Sequence, residues 1–152
     1  MYCLTYKQKL PISLQECWDF FSTPANLITI TPQHLNFEIT NESDIKMYAG
    51  QIIGHIIRPI WGIPLEWITE ITHVQEPHYF IDEQRFGPYK FWHHEHRFIS
   101  TSNGVEMFDT VYYKLPYGPL GKVIHKLKVK NDLEAIFAYR HSKLEEKFGL
   151  YE

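Results

Sequence analysis

A run of three long β-type segments between Trp67 and Leu115 constrains the fold more than any other feature of the chain. Apolar and polar residues alternate within each segment, and the turn sequences Glu76-Pro77, Gly87-Pro88 and Asn103-Gly104 lie at the joints between predicted strands. Side chains of a strand point alternately to the two faces of its sheet, so every second residue shares a face. Asn-Gly is a favoured hairpin turn. The run therefore predicts adjacent antiparallel strands that carry aromatic and hydrogen-bonding side chains on one face.

Helix and strand signals surround this run in a definite order. Residues 1–9 predict a first strand, Ser13 and Glu16 have the spacing of a capping box that begins a helix, and Thr23-Pro24 begins a short second helix. Strands are predicted over 37–41, 51–58, 64–75, 79–86, 89–100 and 105–115. Gly118-Pro119 begins a long C-terminal helix, which we expect to kink or restart near 128–132. This order predicts an α+β fold, in which a curved antiparallel sheet of about seven strands packs against the long helix.

Size and composition narrow the class of protein. The 152 residues suit one domain, which we place over 1–152, and the aromatic fraction of 16% can fill a large core or line a pocket. A net charge of -3 provides no cationic field for nucleic acid. The most apolar run, Ile52 to Ile63, is too short and too polar to span a bilayer, and the N-terminus lacks the apolar core of a signal peptide. We expect a cytoplasmic protein with no nucleic-acid partner and no integral membrane segment.

The string H-H-E-H at residues 93–96 suggests a site. His94 and His96 are two residues apart on a predicted strand, so they share a face. Two such histidines can supply metal ligands. A third ligand would come from a polar residue on a neighbouring strand: Asp82, Gln84 or Asp109. Since no spacing demands that third ligand, we expect no metal site.

A second interpretation joins His94 to a carboxylate. If Gly87-Pro88 is the centre of a tight hairpin, Asp82 lies near His94, and the next hairpin can bring Asp109 beside it. A slip of one residue in that register would turn the Asp109 side chain away. A His–Asp pair in an apolar cavity can act as a general acid and base. A buried polar network that holds the strands in register, or polar recognition of a ligand, explains the same residues.

Several strings resemble the START/polyketide cyclase-dehydrase (SRPBCC) superfamily, in a bacterial branch of mostly unassigned function. They are P-A-N-L at 24–27, W-I-T-E-I at 67–71, F-I-D-E-Q-R-F-G-P-Y-K-F-W-H-H-E-H-R-F at 80–98, D-T-V-Y-Y-K-L-P-Y-G-P-L-G at 109–121 and I-F-A-Y-R at 136–140. The resemblance implies a helix-grip fold with a deep cavity between the sheet and the last helix. Members bind lipids, polyketides, hormones or quinones there, and a minority catalyse cyclisation or dehydration.

The resemblance and the strand alternation together give a set of candidate residues. The expected ligand-binding residues are Trp67, Phe80, Asp82, Gln84, Trp92, His94, His96, Phe108, Tyr112, Phe137 and Arg140. The candidates for catalysis are His94, Asp82 and Asp109. The aromatic residues are equally explained as ordinary core, and Arg140 as one member of a surface ion pair.

Two functions follow as hypotheses. The first is non-enzymatic binding, transport or sensing of a small hydrophobic, ring-containing molecule such as a lipid, a quinone or a polyketide, with no cofactor. The second is a cyclase- or dehydratase-like enzyme that uses the His–Asp pair in the same cavity. A weaker third hypothesis is a protein-interaction surface on the basic stripe that recurs every four residues along the C-terminal helix: Lys122, Lys126 and Lys130.

Overall fold

The alternating segments form one antiparallel sheet of seven strands in the computed structural model, which describes residues 1–41, 46–58 and 63–151. The strands are β1 (Tyr2–Leu10), β2 (Glu38–Ile39), β3 (Gln51–Ile57), β4 (Leu65–Gln75), β5 (Tyr79–Phe86), β6 (Phe91–Thr101) and β7 (Gly104–Lys114). Their order in the sheet is β1-β7-β6-β5-β4-β3-β2. The predicted α+β helix-grip architecture is confirmed. Residues 59–62 of the apolar run discussed above lie outside the described ranges.

The sheet is curved, and its β4–β5 ladder carries two register shifts. One lies between Ile68 and Thr69 and the other between Ile71 and His73. A register shift of this kind arises where one strand has an extra residue relative to its partner, and the extra residue bends the strand and increases its twist. The bend leaves a concave face, toward which alternate side chains of β3 to β7 point.

The helices are α1 (Leu14–Phe21), α2 (Pro24–Leu27), α3 (Gly118–Ile124) and α4 (Lys130–Phe148), with short 3-10 turns at Ile28–Ile30 and Gln33–Leu35. The Ser13 hydroxyl accepts a hydrogen bond from the Glu16 amide over 3.1 Å, so the predicted cap of α1 is present. Thr23 does not cap α2, because its hydroxyl donates to the Asp19 carbonyl instead. No helix in the described ranges combines the length and the apolar character needed to cross a bilayer.

A π-helical turn, His125–Val129, joins α3 to α4. The expected interruption of the C-terminal helix is therefore a widened turn, which begins three residues before the predicted segment 128–132 and overlaps it. It separates two apolar stripes that the sequence pattern suggests are continuous. Leu133 and Phe137 on α4 are buried, whereas Leu120 and Leu127 are exposed.

Two apolar clusters lie under the concave face. One surrounds Trp18 of α1, whose ring meets Phe80 and Phe98 edge-on at centroid distances of 6.0 and 6.2 Å. The other consists of buried residues from β6, β7 and α4: Trp92, Val111, Tyr113, Leu133 and Phe137. Since Leu144 of α4 belongs to the first cluster, α4 crosses the sheet and packs on both.

Candidate ligand-binding site

A cavity of about 840 Å³ lies between the concave face of the sheet, α4 and the segment 20–35. Ligand sites for small molecules usually have volumes of roughly 300–1,000 Å³. Most of its walls are apolar, with side chains that include Ile53, Leu65, Trp67, Phe80, Trp92, Leu133 and Phe137. The clusters around Trp18 and Trp92 pack at different places on the sheet, and α4 spans both without filling the space.

Four titratable side chains from three neighbouring strands meet at the sheet side of this cavity. Oδ1 of Asp109 lies 2.9 Å from Nε2 of His94, and Oδ2 of Asp82 lies 2.9 Å from Nε2 of His96. The two imidazole rings contact each other with centroids 3.8 Å apart. Asp82, His94 and His96 line the cavity, and Asp109 lies behind the histidines. We call these four residues the carboxylate–histidine cluster.

The remaining ring nitrogens of the cluster are close to carboxylates without forming good hydrogen bonds. Nδ1 of His96 is 2.8 Å from Oδ1 of Asp109, at an angle outside hydrogen-bond geometry. Nδ1 of His94 is 3.4 Å from Oδ2 of Asp82. Each imidazole is therefore fixed by one hydrogen bond, and within the described residues Nδ1 of His94 makes none.

Burial and mutual attraction decide the charges in the cluster. Burial disfavours the ionised form of Asp109, but the hydrogen bond from His94 and the close approach of His96 outweigh burial and hold the pKa of Asp109 far below its usual value. The pKa of Asp82 is also lowered: burial opposes ionisation, but attraction to His94, His96 and Arg140 prevails. Both carboxylates are therefore ionised at neutral pH.

The two histidines differ. Burial, followed by repulsion from His96, lowers the pKa of His94, so its imidazole is neutral. Burial acts in the same direction on His96, but its close contact with Asp109 and its hydrogen bond to Asp82 raise the pKa of His96 above the ordinary value. Because Asp109 is ionised, the neutral His94 must donate its Nε2 proton to Asp109, which leaves Nδ1 of His94 as an acceptor.

Arg140 of α4 completes the charges at the cavity. Its side chain is 9% exposed, it stacks on the Phe137 ring at 5.0 Å, and it lines the cavity. Within the described ranges it makes no hydrogen bond or ion pair, and its Nε is buried without a partner. Arg140 and the raised pKa of His96 thus place positive charge, or a group that favours it, beside the two ionised carboxylates.

Three side chains of the cluster have ligand atoms close enough together to coordinate one metal ion. Ligand atoms of Asp82, His94 and His96 lie within 4.8 Å of one another. Asp82 and His96 bond each other directly, however, and the positive charge of Arg140 acts on Asp82 and opposes a cation. We interpret the trio as a hydrogen-bonded network, and the absence of a metal site stays a prediction.

The structure brings most of the predicted ligand-binding residues together. Those that line the cavity are Trp67, Phe80, Asp82, Trp92, His94, His96, Phe137 and Arg140. The prediction that Arg140 forms part of a surface ion pair is wrong, because the side chain is buried.

Three predicted residues do not line the cavity. Phe108 and Tyr112 alternate with Asp109 along β7, so they point to the convex face, where Lys7 lies over the Phe108 ring. Gln84 is on the concave side, but its amide is bonded to both backbone groups of Tyr89, at 2.6 and 3.1 Å. It thus fixes the β5–β6 turn instead of facing the cavity.

The sequence interpretation missed His55 of β3. Its ring is buried between Phe37 and Trp67, and its Nδ1 has no hydrogen-bond partner among the residues that the structure describes. Burial lowers the pKa of His55 to about 4, so this wall of the cavity is uncharged. The alternation Gln51, Ile53, His55 is a signal that could have found it, because all three are buried on one face.

A further missed contact involves His125 in the π-helical turn. Its Nε2 lies 2.7 Å from the hydroxyl of Tyr113 on β7, and its ring stacks on Tyr2 of β1 at 3.5 Å. These contacts tie the beginning of the C-terminal helix to the sheet edge. Nothing in the local sequence indicates that a histidine here faces two tyrosines from strands that are distant in the chain.

Comparison with known proteins gives fold likeness only. No family model matches the chain, and no curated protein matches it. Protein CV1439 from Chromobacterium violaceum has a similar structure, with a TM-score of 0.76, 8% identity, and coverage of 99% of this chain and 100% of that one. Protein Ms6760 from Mycobacterium smegmatis also has a similar structure. Its TM-score is 0.66 and its sequence identity 14%, with coverage of 95% of this chain and 92% of that one.

A third similar structure is a nucleoside-diphosphate sugar epimerase from Corynebacterium glutamicum. Its TM-score is 0.67 and its identity 21%, over 94% of this chain but 28% of the epimerase. The same fold therefore occurs within a longer protein. At these identities the likenesses establish the fold and no activity.

Proposed function

We propose that this protein binds a small apolar, ring-containing molecule in the cavity without converting it. Arg140 is the observation that carries the proposal: its side chain is largely buried, makes no hydrogen bond or ion pair within the described ranges, has a fully buried Nε and lines a mostly apolar cavity. A buried charged group without hydrogen bonds is costly. An oxygen atom of a bound molecule would satisfy it.

The walls favour a flat ligand with one polar end. Trp67 and Trp92 offer aromatic surface at the sheet, and Phe137 offers it from α4. The polar groups that converge on the cavity are the N–H groups of Arg140 and the free Nδ1 of His94. A ring system with a carbonyl oxygen that accepts from Arg140 and a hydroxyl group that donates to Nδ1 of His94, as in a hydroxylated quinone or a polyketide, matches this arrangement. A fatty acid would match the oxygen but not the rings.

We also propose membership of the START/polyketide cyclase superfamily and a cytoplasmic location. The motifs quoted above, the helix-grip fold and the cavity beneath α4 support the membership. The lack of a membrane-spanning helix in the described ranges is compatible with the location.

Probe binding tests the proposal. Phenylnaphthylamine, a neutral fluorescent ring compound, should bind at one site and raise the melting temperature by a few degrees, because only the native state binds it. Thr69→Trp should weaken binding, since Thr69 is a buried residue that lines the cavity. Thr110→Trp is the matched control on the convex face of β7. If no ring compound in a panel of quinones, polyphenols and polyketides binds, the proposal fails.

A second candidate function is acid–base catalysis by His94. The observation that favours it is the neutral imidazole that Asp109 orients while Nδ1 has no hydrogen bond, since such a nitrogen can accept a proton from a substrate. His94→Gln should then abolish turnover of a polyketide analogue while the protein still binds phenylnaphthylamine. Equal turnover in both proteins would exclude this function.

A further inference from the structure

The outer face of α3 and the π-helical turn is apolar. Leu120, Val123, Ile124 and Leu127 have the spacing of one helix face, and all four are exposed. Tyr117, which precedes α3, is 76% exposed, and Leu127 is 74% exposed. An amphipathic helix normally turns its apolar face toward the core. Here it faces outward, and we call these five side chains the apolar patch.

The opposite face of this helix is fixed to the body of the protein, so the patch cannot turn inward. His125 bonds Tyr113 and stacks on Tyr2. Gly121 packs so closely that a Cβ atom at this position would lie 2.2 Å from the Pro116 carbonyl oxygen. Val129 packs against the buried cluster around Trp92. The contacts of His125 and Val129 fix the helix against the sheet with the patch at the surface.

The charges around the patch have one sign. The segment 117–127 contains Lys122 and Lys126 and no acidic residue, although the whole chain carries -3. These two lysines make no ion pair within the described ranges, whereas Lys128 lies 2.7 Å from Asp132. Two copies of this surface would bring like charges together. An anionic surface would satisfy both the apolar side chains and the lysines.

The patch also adjoins the cavity. Tyr117 and Ile124 belong to the patch and line the cavity as well. They therefore form part of its rim, where a molecule leaving an apolar phase would enter the protein. We infer that the apolar patch docks this protein on an anionic membrane surface, with Leu120 and Leu127 inserted among the lipids and Lys122 and Lys126 at the headgroups. This inference stands independently of which molecule the cavity binds.

Vesicle flotation tests the inference on the full chain. The protein should float with vesicles of equal parts phosphatidylcholine and phosphatidylglycerol, and float less with pure phosphatidylcholine. Leu120→Ser combined with Leu127→Ser should reduce the bound fraction at least about tenfold, because each exposed leucine contributes apolar area to the lipid. Lys122→Gln combined with Lys126→Gln should reduce binding to the anionic vesicles alone.

Two matched controls separate docking from general effects. Ile99→Ser removes an exposed apolar side chain on the convex face of β6, and Lys143→Gln with Lys147→Gln removes two lysines from the far end of α4. Both should float like the wild type. Wild-type protein that does not float, or a leucine variant that floats equally well, overturns the inference. A dimer in solution that the leucine substitutions dissociate would instead assign the patch to a second copy.

Discussion

His94 reaches Asp109 diagonally across the β6–β7 ladder. Their side chains bond over 2.9 Å, although the residue opposite Asp109 in the ladder is His96 and the residue opposite His94 is Val111. Side chains on diagonal positions are within reach when they share a face. Asp109 thereby lies beside both imidazoles, and at 1% exposure it is shielded from water.

Replacing the Asp109 carboxylate should destabilise the fold strongly. Asp109→Asn leaves His96, whose pKa is raised, beside one carboxylate instead of two, and it removes the carboxylate that bonds His94. Removing one member of a buried ion pair costs about 3–5 kcal/mol. We expect a loss of this size in the free energy of unfolding, measured by urea denaturation.

The control for this loss lies on the convex face of the neighbouring strand β6. Glu95 pairs with Arg97 near the surface, and exposed pairs contribute at most about 1 kcal/mol. Glu95→Gln should therefore lower the stability by less than that amount. Equal losses in the two variants would show that Asp109 does not balance buried charge.

The sequence predicted the fold well because alternation fixes a strand and its faces together. The Gly87-Pro88 turn placed Asp82 opposite His94, as the ladder shows. β2 is shorter than predicted, at two residues. The Asn41 side chain bonds the Ile52 carbonyl and the Gly54 amide, so it replaces the backbone pairing that would extend the strand.

The site was harder to predict, for two physical reasons. Phe108 and Asp109 are adjacent on a strand and cannot share a face, so naming both as site residues ignored the alternation that located His94 and His96. The second reason is the π-helical turn. It changes the phase of the C-terminal helix, and apolar residues on its two sides differ in burial: Leu127 is exposed, whereas Leu133 is buried.

Arg140 should select for a ligand oxygen. Arg140→Met keeps the stem over Phe137 but removes the donors. We expect anilinonaphthalene sulfonate to bind at least about tenfold more weakly to this variant, because charge-assisted hydrogen bonds are lost. Phenylnaphthylamine, which has the same rings without the sulfonate, should bind within twofold of wild type. Fluorescence titration measures both.

The same titration on Arg97→Met provides the control for this prediction, because Arg97 lies on the convex face over Tyr79. Its binding of both probes should match the wild type. If Arg140→Met binds anilinonaphthalene sulfonate as tightly as the wild type does, Arg140 does not contact the ligand. This holds even if the cavity binds phenylnaphthylamine.

Tyr113 should control the order of the π-helical turn. Tyr113→Phe removes the hydroxyl that bonds His125 but leaves the packing around the ring, a loss of about 1 kcal/mol. Hydrogen exchange should therefore become faster over 121–130 and stay unchanged over 140–147. Exchange that rises equally in both segments would mean that the bond stabilises the whole fold instead of this turn.

His55 should make stability depend on pH. Its ordinary pKa of 6.5 is lowered to about 4 in the fold, so the unfolded chain binds the proton first. Neutral His55 therefore contributes fully to the free energy of unfolding above pH 6.5. This contribution is lost as the pH falls from 6.5 through 4, by up to about 3 kcal/mol. His55→Phe has no histidine to titrate at this position. Its free energy of unfolding should therefore rise relative to that of the wild type as the pH is lowered from 6.5 to 4. A difference that is constant from pH 7 to pH 4 contradicts the account.

The most direct test of the central claim is native mass spectrometry of the protein purified without organic solvent. We predict a one-to-one adduct with an apolar molecule that contains a ring and an oxygen, retained in Thr110→Trp and lost or strongly reduced in Thr69→Trp. Spectra that show only bare protein, even after incubation with quinones and polyketides, or adducts that persist equally in both variants, would contradict binding in the cavity beneath α4.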